Sequence, residues 1–266
     1  MIKQPQLNYY EMGTGVIAFS STRHGGFSKG SYASFNINHY CGDQEENILK
    51  NRSALCQMLG ISNAHLIIPH QVHKTKVAQI NKQFLELNDN EKKEYLEGVD
   101  AVMTNLSGIC IGVSTADCIP ILLYDAERHA ACAIHAGWRG TVKRIAVKAI
   151  EAMKEAYNTN PQQLKAQIGP GIHLDSFEIG DEVYDTFIQE DFDISAISKR
   201  YPTADGIGEK WHIDLPECNR QQLLAASIKA QNIKISPVCT FQQSNDYFSA
   251  RRLGINSGRI FTGIII

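Results

Sequence analysis

Two short stretches of this chain could do chemistry together. Asp117-Cys118 and His135-Ala136-Gly137-Trp138-Arg139-Gly140 put a soft sulfur ligand and an imidazole 17 residues apart, each at the predicted end of an apolar strand. A further candidate ligand lies upstream in His70-Gln71-Val72-His73. One cysteine and two histidines make a three-ligand set for a catalytic zinc, with the fourth position left to water. The same cysteine and histidine also describe a thiol nucleophile with its base. The residues alone leave both readings open.

His70 and His73 are three residues apart on a strand end or turn, so at most one of them is expected to join a site with Cys118. Cys118 follows Ser114-Thr115-Ala116-Asp117, a run too polar for a plain core cysteine. Asp117 is the carboxylate nearest to it in sequence and the first candidate for a general acid/base. Gly137 and Gly140 permit a sharp turn after His135. A helix beginning at Thr141 would then offer free backbone N–H groups to an anion, with Arg139 beside them. The plainer interpretation is an ordinary strand-to-helix turn, with Trp138 in the core and Arg139 solvated. Asn36, His39 and Asp43 around Cys41 read as a structured surface loop, and Ser249-Ala250-Arg251-Arg252 as a second, weaker anion-binding candidate.

These residues need strands to hold them. Gly15–Ser21, Leu66–Ile68, Thr75–Ile80, Ala101–Met103, Ile109–Val113, Ile119–Tyr124, Ala130–Ile134, Leu164–Ile168, Ile233–Val238 and Arg259–Ile266 are short apolar runs, most of them bounded by turn formers, and are predicted as strands. Gln44–Leu59, Thr141–Tyr157, Asp181–Gln189 and Pro216–Ala230 are predicted as helices; in the second, Val142, Ile145, Ala149 and Met153 recur at helical spacing. Strands in runs with few long helices predict an α+β or mixed α/β fold rather than a regular βαβ repeat, most economically as one domain over residues 1–266.

The bulk numbers exclude some functions. At 266 residues, 43% hydrophobic and 20% charged, the chain can build a core without disulfides. A net charge of -2 with no basic block argues against nucleic acid. No apolar run approaches a membrane span, and the N-terminus lacks a signal-peptide pattern, which predicts a cytoplasmic protein. Seven scattered cysteines without C-x-x-C then read as reduced thiols rather than a ribbon-type zinc site. Oligomeric state is not legible.

The motifs taken in order resemble one family. Phe19-Ser-Ser-Thr-Arg-His-Gly-Gly26, Asn51-Arg52, Pro69-His-Gln-Val-His73, Asp100-Ala-Val, Thr115-Ala-Asp-Cys-Ile-Pro120, His135-Ala-Gly-Trp-Arg-Gly140, Ile168-Gly-Pro-Gly-Ile172 and Phe248-Ser-Ala-Arg-Arg252 are similar to the bacterial YfiH-like, or laccase-domain, proteins. The resemblance implies a single-domain α+β fold with mixed β-sheets flanked by helices, and a metal, usually zinc, on His73, Cys118 and His135. It implies phosphorolysis of adenosine, inosine, guanosine and methylthioadenosine, and deamination of adenosine, so the expected partners are purine nucleosides and phosphate. It carries Arg52 over as an active-site candidate, and places Ala250 where an aromatic residue is common. For phosphate, Arg52, Arg139 and the predicted helix start at Thr141 are the expected tools.

The family's older label is copper polyphenol oxidase. Nine histidines without a single H-x-H do not suit a multicopper site, although one Cys and two His could hold a single copper. The H-x-E … P-C-x-x-C deaminase signature is absent, so any deamination would be a separate solution. Two rival functions stay open: a Cys118/His135 hydrolase or amidase acting on cell-wall precursors, and a ligand-binding protein with residual activity.

Overall fold

A computed structural model describes residues 4–203 and 206–266 of the chain. Its centre is two sheets packed face to face. The first has the order β1 (Leu7–Tyr10), β2 (Ile17–Ser21), β14 (Ile260–Ile265), β6 (Cys110–Thr115) and β3 (Leu66–Ile67). The second has the order β13 (Ile233–Ile235), β9 (Lys165–Ile168), β7 (Ile119–Asp125), β8 (Ala130–Ala136), β5 (Val99–Thr104) and β4 (Lys76–Ile80). Both are mixed: β3 runs parallel to β6, β4 to β5 and β13 to β9, while the remaining pairs are antiparallel. The α+β class with mixed sheets and flanking helices is therefore what the chain builds.

Strand alternation explains the layers. In β7, Leu122 and Tyr124 face the other sheet, while Ile119, Ile121 and Leu123 face helices. In β8, Ala131 and Ala133 take the inner face, and Ala130, Cys132, Ile134 and Ala136 the outer. The outer face of this sheet is covered by α4 (Trp138–Val142), α5 (Ile145–Tyr157) and α8 (Leu215–Ala225). Beyond the first sheet, Phe19, Cys110, Phe261 and Ile265 pack against Leu55 and Cys56 of α1 (Glu45–Leu59). With both of their faces buried, the central strands β5, β6, β7, β8 and β14 read as nearly unbroken apolar runs.

Smaller elements close the edges. α2 (Lys82–Glu86) and α3 (Asp89–Tyr95) connect β4 to β5. A third sheet, β10 (Glu178–Ile179), β12 (Glu209–Ile213) and β11 (Ser198–Pro202), lies with α6 (Asp181–Gln189) and α7 (Ile194–Ile197). α9 (Ala250–Leu253) precedes β14.

Two helix predictions need correction. The span Thr141–Tyr157 is two helices, and the first begins at Trp138 with Gly137 as its N-cap. The break falls at Arg144, whose backbone is left-handed at φ 61°. Its guanidinium donates to the Glu190 carbonyl at 2.6 Å and lies over the Phe192 ring, contacts that hold this conformation. The Thr141 N–H, predicted to face an anion, instead donates to the Gly137 carbonyl at 2.8 Å. The second correction is Pro216–Ala230, which stops at Ala225. Ser227 turns left-handed at φ 72°, and the N–H groups of Ser227 and Ile228 close back onto Leu224 and Leu223.

Candidate metal centre

The sheet register brings the reactive residues together. β7 and β8 pair so that Pro120 lies opposite His135 and Ile119 opposite Ala136, which sets Cys118, one residue before β7, beside the imidazole. β5 flanks β8 on its other side, with Ala101 opposite Ile134, so Asp100 also reaches His135. His73 arrives on the loop from β3 to β4. That loop is pinned by Gln71, whose side chain donates to the Ser114 carbonyl and accepts from the Ser114 N–H, both at 2.8 Å.

The ligating atoms of His73, Cys118 and His135 all lie within 4.8 Å of one another, the one such group among the described residues. Cys118 Sγ is 3.7 Å from His73 Nε2. The edge of a tetrahedral zinc site with bonds of about 2.3 Å to sulfur and about 2.0 Å to nitrogen is about 3.5 Å. Donor set and spacing therefore fit a metal ion. Gly137 shows how tightly the three converge: a Cβ on it would lie 2.9 Å from His73 Cδ2 and 3.0 Å from Cys118 Sγ.

Asp100 organises this trio, although sequence reasoning gave it no role beyond its place in a motif. It is fully buried. Its Oδ1 accepts from His135 Nδ1 at 2.8 Å and from the His73 N–H at 2.9 Å. Its Oδ2 accepts from the N–H groups of Lys74 at 2.7 Å and Val72 at 3.3 Å. One carboxylate thus orients the His135 ring, leaving Nε2 for a metal, and holds His73 in a left-handed conformation at φ 60°. Burial opposes the Asp100 charge, but His135 and the surrounding N–H groups outweigh it and hold the carboxyl below its usual range.

The other two charges are coupled. Burial pushes the Cys118 thiol up, yet the His135 charge and hydrogen bonds from His135 and His73 bring it down to about 6. Burial pushes His135 down, but the Cys118 thiolate and Asp100 carry it up to about 9. Each charge thus favours the other, thiolate beside imidazolium. The remaining cysteines lack this setting: all seven are free, and the other six are buried.

A cavity of about 390 Å³ opens onto the trio, a size suited to a small molecule. Asn38, Tyr40, His70, Ser114, Thr115 and Arg259 are among its lining residues. Both histidines of the H-Q-V-H stretch line it, but only His73 belongs to the trio. His70 Nδ1 pairs with Glu97 Oε1 at 2.7 Å, and its ring stacks on Tyr40 at 3.9 Å between centroids. The Asn36–Asp43 loop, read from sequence as a surface feature, contributes Asn38, Tyr40 and Cys41 to the cavity wall.

Other sequence candidates are placed elsewhere. Asp117 does not line the cavity: its Oδ1 accepts from Thr240 Oγ1 and its Oδ2 from the Arg251 N–H, each at 2.7 Å. Its left-handed backbone, φ 86°, turns the carboxylate away from the cysteine beside it. Both acceptors are thus taken up by the fold, away from the cavity. Arg139 is exposed and lies over its neighbour Trp138, and Arg52 donates to the Leu66 carbonyl at 3.2 Å; neither lines the cavity. Gly137 and Gly140 allow close packing: a Cβ on Gly140 would meet the Lys74 carbonyl oxygen at 3.3 Å. Arg251 and Arg252 are exposed and lie over Phe177 and Phe241. Arg259, which sequence reasoning left inside a strand, is the arginine at the cavity.

Fold and site together define an α+β protein with one His–Cys–His group, among the described residues, that could ligate a metal. The chain belongs to the family described as multi-copper polyphenol oxidoreductase laccase, whose model matches residues 17–266. It is 42% identical to a purine nucleoside phosphorylase of Bacteroides thetaiotaomicron over 93% of this chain and 90% of that protein. It is also 42% identical to adenosine deaminase RL5 from an unknown prokaryotic organism, over 99% of both chains. The crystal structure of YfiH from Bacillus licheniformis has the same fold, with a TM-score of 0.87 at 24% identity, covering 100% of this chain and 98% of that one. Among the described residues, no helix is long and apolar enough to cross a membrane.

Proposed function

We propose that this protein is a zinc-dependent purine nucleoside enzyme, which splits adenosine, inosine, guanosine and methylthioadenosine with phosphate and deaminates adenosine. The observation that carries this is the trio His73, Cys118 and His135, braced by Asp100 and open to a cavity of small-molecule size. The names of the two relatives at 42% identity, a phosphorylase and a deaminase, support both halves of the reading. A single three-ligand group suits one metal ion rather than the several that multicopper oxidation requires.

A zinc held there would supply Lewis acidity and electrostatic stabilisation of developing negative charge. The protein's own groups do the rest. Asp100 fixes the two imidazoles. His70 is the group we assign to proton transfer: Glu97 and Tyr40 hold its ring, and Nε2 has no protein partner among the described residues. It takes the place of Asp117 in that role. Tyr40, partly exposed on the cavity wall, offers an aromatic face to a planar base.

The depressed Cys118 thiol keeps one rival in view, a cysteine hydrolase with His135 as base. The two readings separate on one set of assays. Under the proposal, adenine forms from adenosine only with phosphate and inosine forms without it, and Cys118→Ala and His135→Ala lose zinc and both products. A trapped acyl-enzyme on Cys118 in zinc-free protein would favour the hydrolase instead.

A further inference from the structure

The cavity beside the trio has an uneven distribution of charge. Arg259 lines it, and among the described residues no aspartate or glutamate does. Arg259 forms no ion pair with a carboxylate among the described residues. Its guanidinium is held by backbone instead: Nη1 donates to the carbonyls of Ser257 and Gly258, and Nη2 to that of Ile255 at 3.0 Å. Its own N–H donates to the side chain of fully buried Asn36 at 3.1 Å. A guanidinium has five N–H groups. Three are taken, which leaves Nε–H and one on Nη2, the number that a bidentate oxyanion contact uses.

Two further donors lie in the same wall. Ser114 and Thr115 are 5% and 1% exposed, both line the cavity, and neither hydroxyl has a hydrogen-bond partner. Unpartnered buried hydroxyls are costly unless a ligand completes them. A fixed cation, two free hydroxyls and no competing carboxylate form an environment for an oxyanion.

We infer that Arg259, with the hydroxyls of Ser114 and Thr115, holds the inorganic phosphate that attacks the nucleoside; this rests on the nucleoside reading above. In that step a phosphate oxygen forms a bond to C1′ of the sugar and the C1′–N9 bond breaks. Its electron pair leaves with the purine, which takes up one proton, and the products are the free base and the sugar 1-phosphate. Deamination uses water at C6, expels ammonia and needs no phosphate. The two reactions therefore differ in their demand on Arg259.

The test compares the zinc-loaded wild type with Arg259→Gln, Arg259→Lys and Thr115→Val. It measures the KM for phosphate, the ratio of phosphate-dependent adenine release to phosphate-free inosine release from adenosine, and phosphate binding by calorimetry. Arg259→Gln should raise the phosphate KM at least tenfold and lower the product ratio at least tenfold, with partial recovery in Arg259→Lys. Thr115→Val removes an unpartnered hydroxyl at nearly constant shape, so it keeps the fold even if Arg259→Gln does not; it should raise the phosphate KM severalfold. An unchanged phosphate KM in these variants, or a parallel fall of both products at wild-type zinc content, would overturn the inference. Calorimetry separates it from the reading beneath it. Phosphate binding that depends on Arg259 in a protein that turns over no nucleoside would keep the subsite and remove the reaction, whereas a wild type that binds no phosphate would remove the subsite.

Discussion

Asp100→Asn is the most informative single substitution, because one buried carboxylate serves four donors. Oδ1 takes the His135 ring and the His73 N–H, and Oδ2 takes the N–H groups of Val72 and Lys74. Asparagine keeps the shape but offers one carbonyl oxygen and one NH2. Whichever way it turns, two donors face its amide nitrogen. Each buried donor left unmet costs about 1–3 kcal/mol, so the metal-free protein should lose about 2–6 kcal/mol. The lower half of that range is expected, since the Val72 bond is already long at 3.3 Å. Zinc affinity should fall about 10–100-fold, the usual effect of removing the partner of a ligating histidine.

The sign with pH follows from the depressed carboxyl. Its stabilisation is complete above the unfolded value of about 3.9 and is lost as pH falls through the lower folded value. The stability gap between wild type and variant should therefore narrow in acid, below about pH 4. Urea melts of metal-free protein and competition with a zinc chelator measure the two quantities. Zinc affinity within threefold of wild type, in a folded variant, would refute the role given to Asp100.

Three other outcomes follow from the same geometry. Gly137→Ala puts a methyl against His73 and Cys118, so zinc affinity should fall and stability drop by about 1–3 kcal/mol, read by chelator competition and thermal melting. In metal-free protein, the Cys118 thiolate should persist down to about pH 6. Its alkylation by iodoacetamide should therefore stay nearly level from pH 8.5 to 7, where an ordinary thiol slows more than tenfold, and zinc should protect it. Asp117→Asn, with its carboxylate tied to Thr240 and Arg251, should lower the melting temperature while kcat for correctly folded enzyme changes less than threefold; a hundredfold loss of kcat would restore it as the acid/base.

Much of this was legible because buried strands leave plain traces. β6, β7 and β8 are apolar on both faces, so they stood out as short hydrophobic runs, with Cys118 and His135 at their ends. The break at Arg144 was invisible because Val142, Ile145 and Ala149 keep helical spacing across it, and the left-handed turn rests on contacts with Glu190 and Phe192, more than forty residues away in the chain. β11, Ser-Lys-Arg-Tyr-Pro, is mostly exposed and offers no alternation to read. In the site, ligand types were recognisable but their supports were not. Asp100 sits 35 residues before His135 and becomes its neighbour only through the β5–β8 pairing. Asp117 shows the converse: adjacency in sequence says nothing about which way its carboxylate turns, here toward Thr240 and Arg251.

Under the proposed function, a metal on His73, Cys118 and His135 is required for nucleoside chemistry. Metal analysis of the purified protein, followed by stripping and reloading under an adenosine assay with phosphate, tests it directly. The purified protein should carry close to one zinc per chain, lose turnover on stripping and recover it when zinc is added back. Full nucleoside turnover by protein free of metal would contradict it.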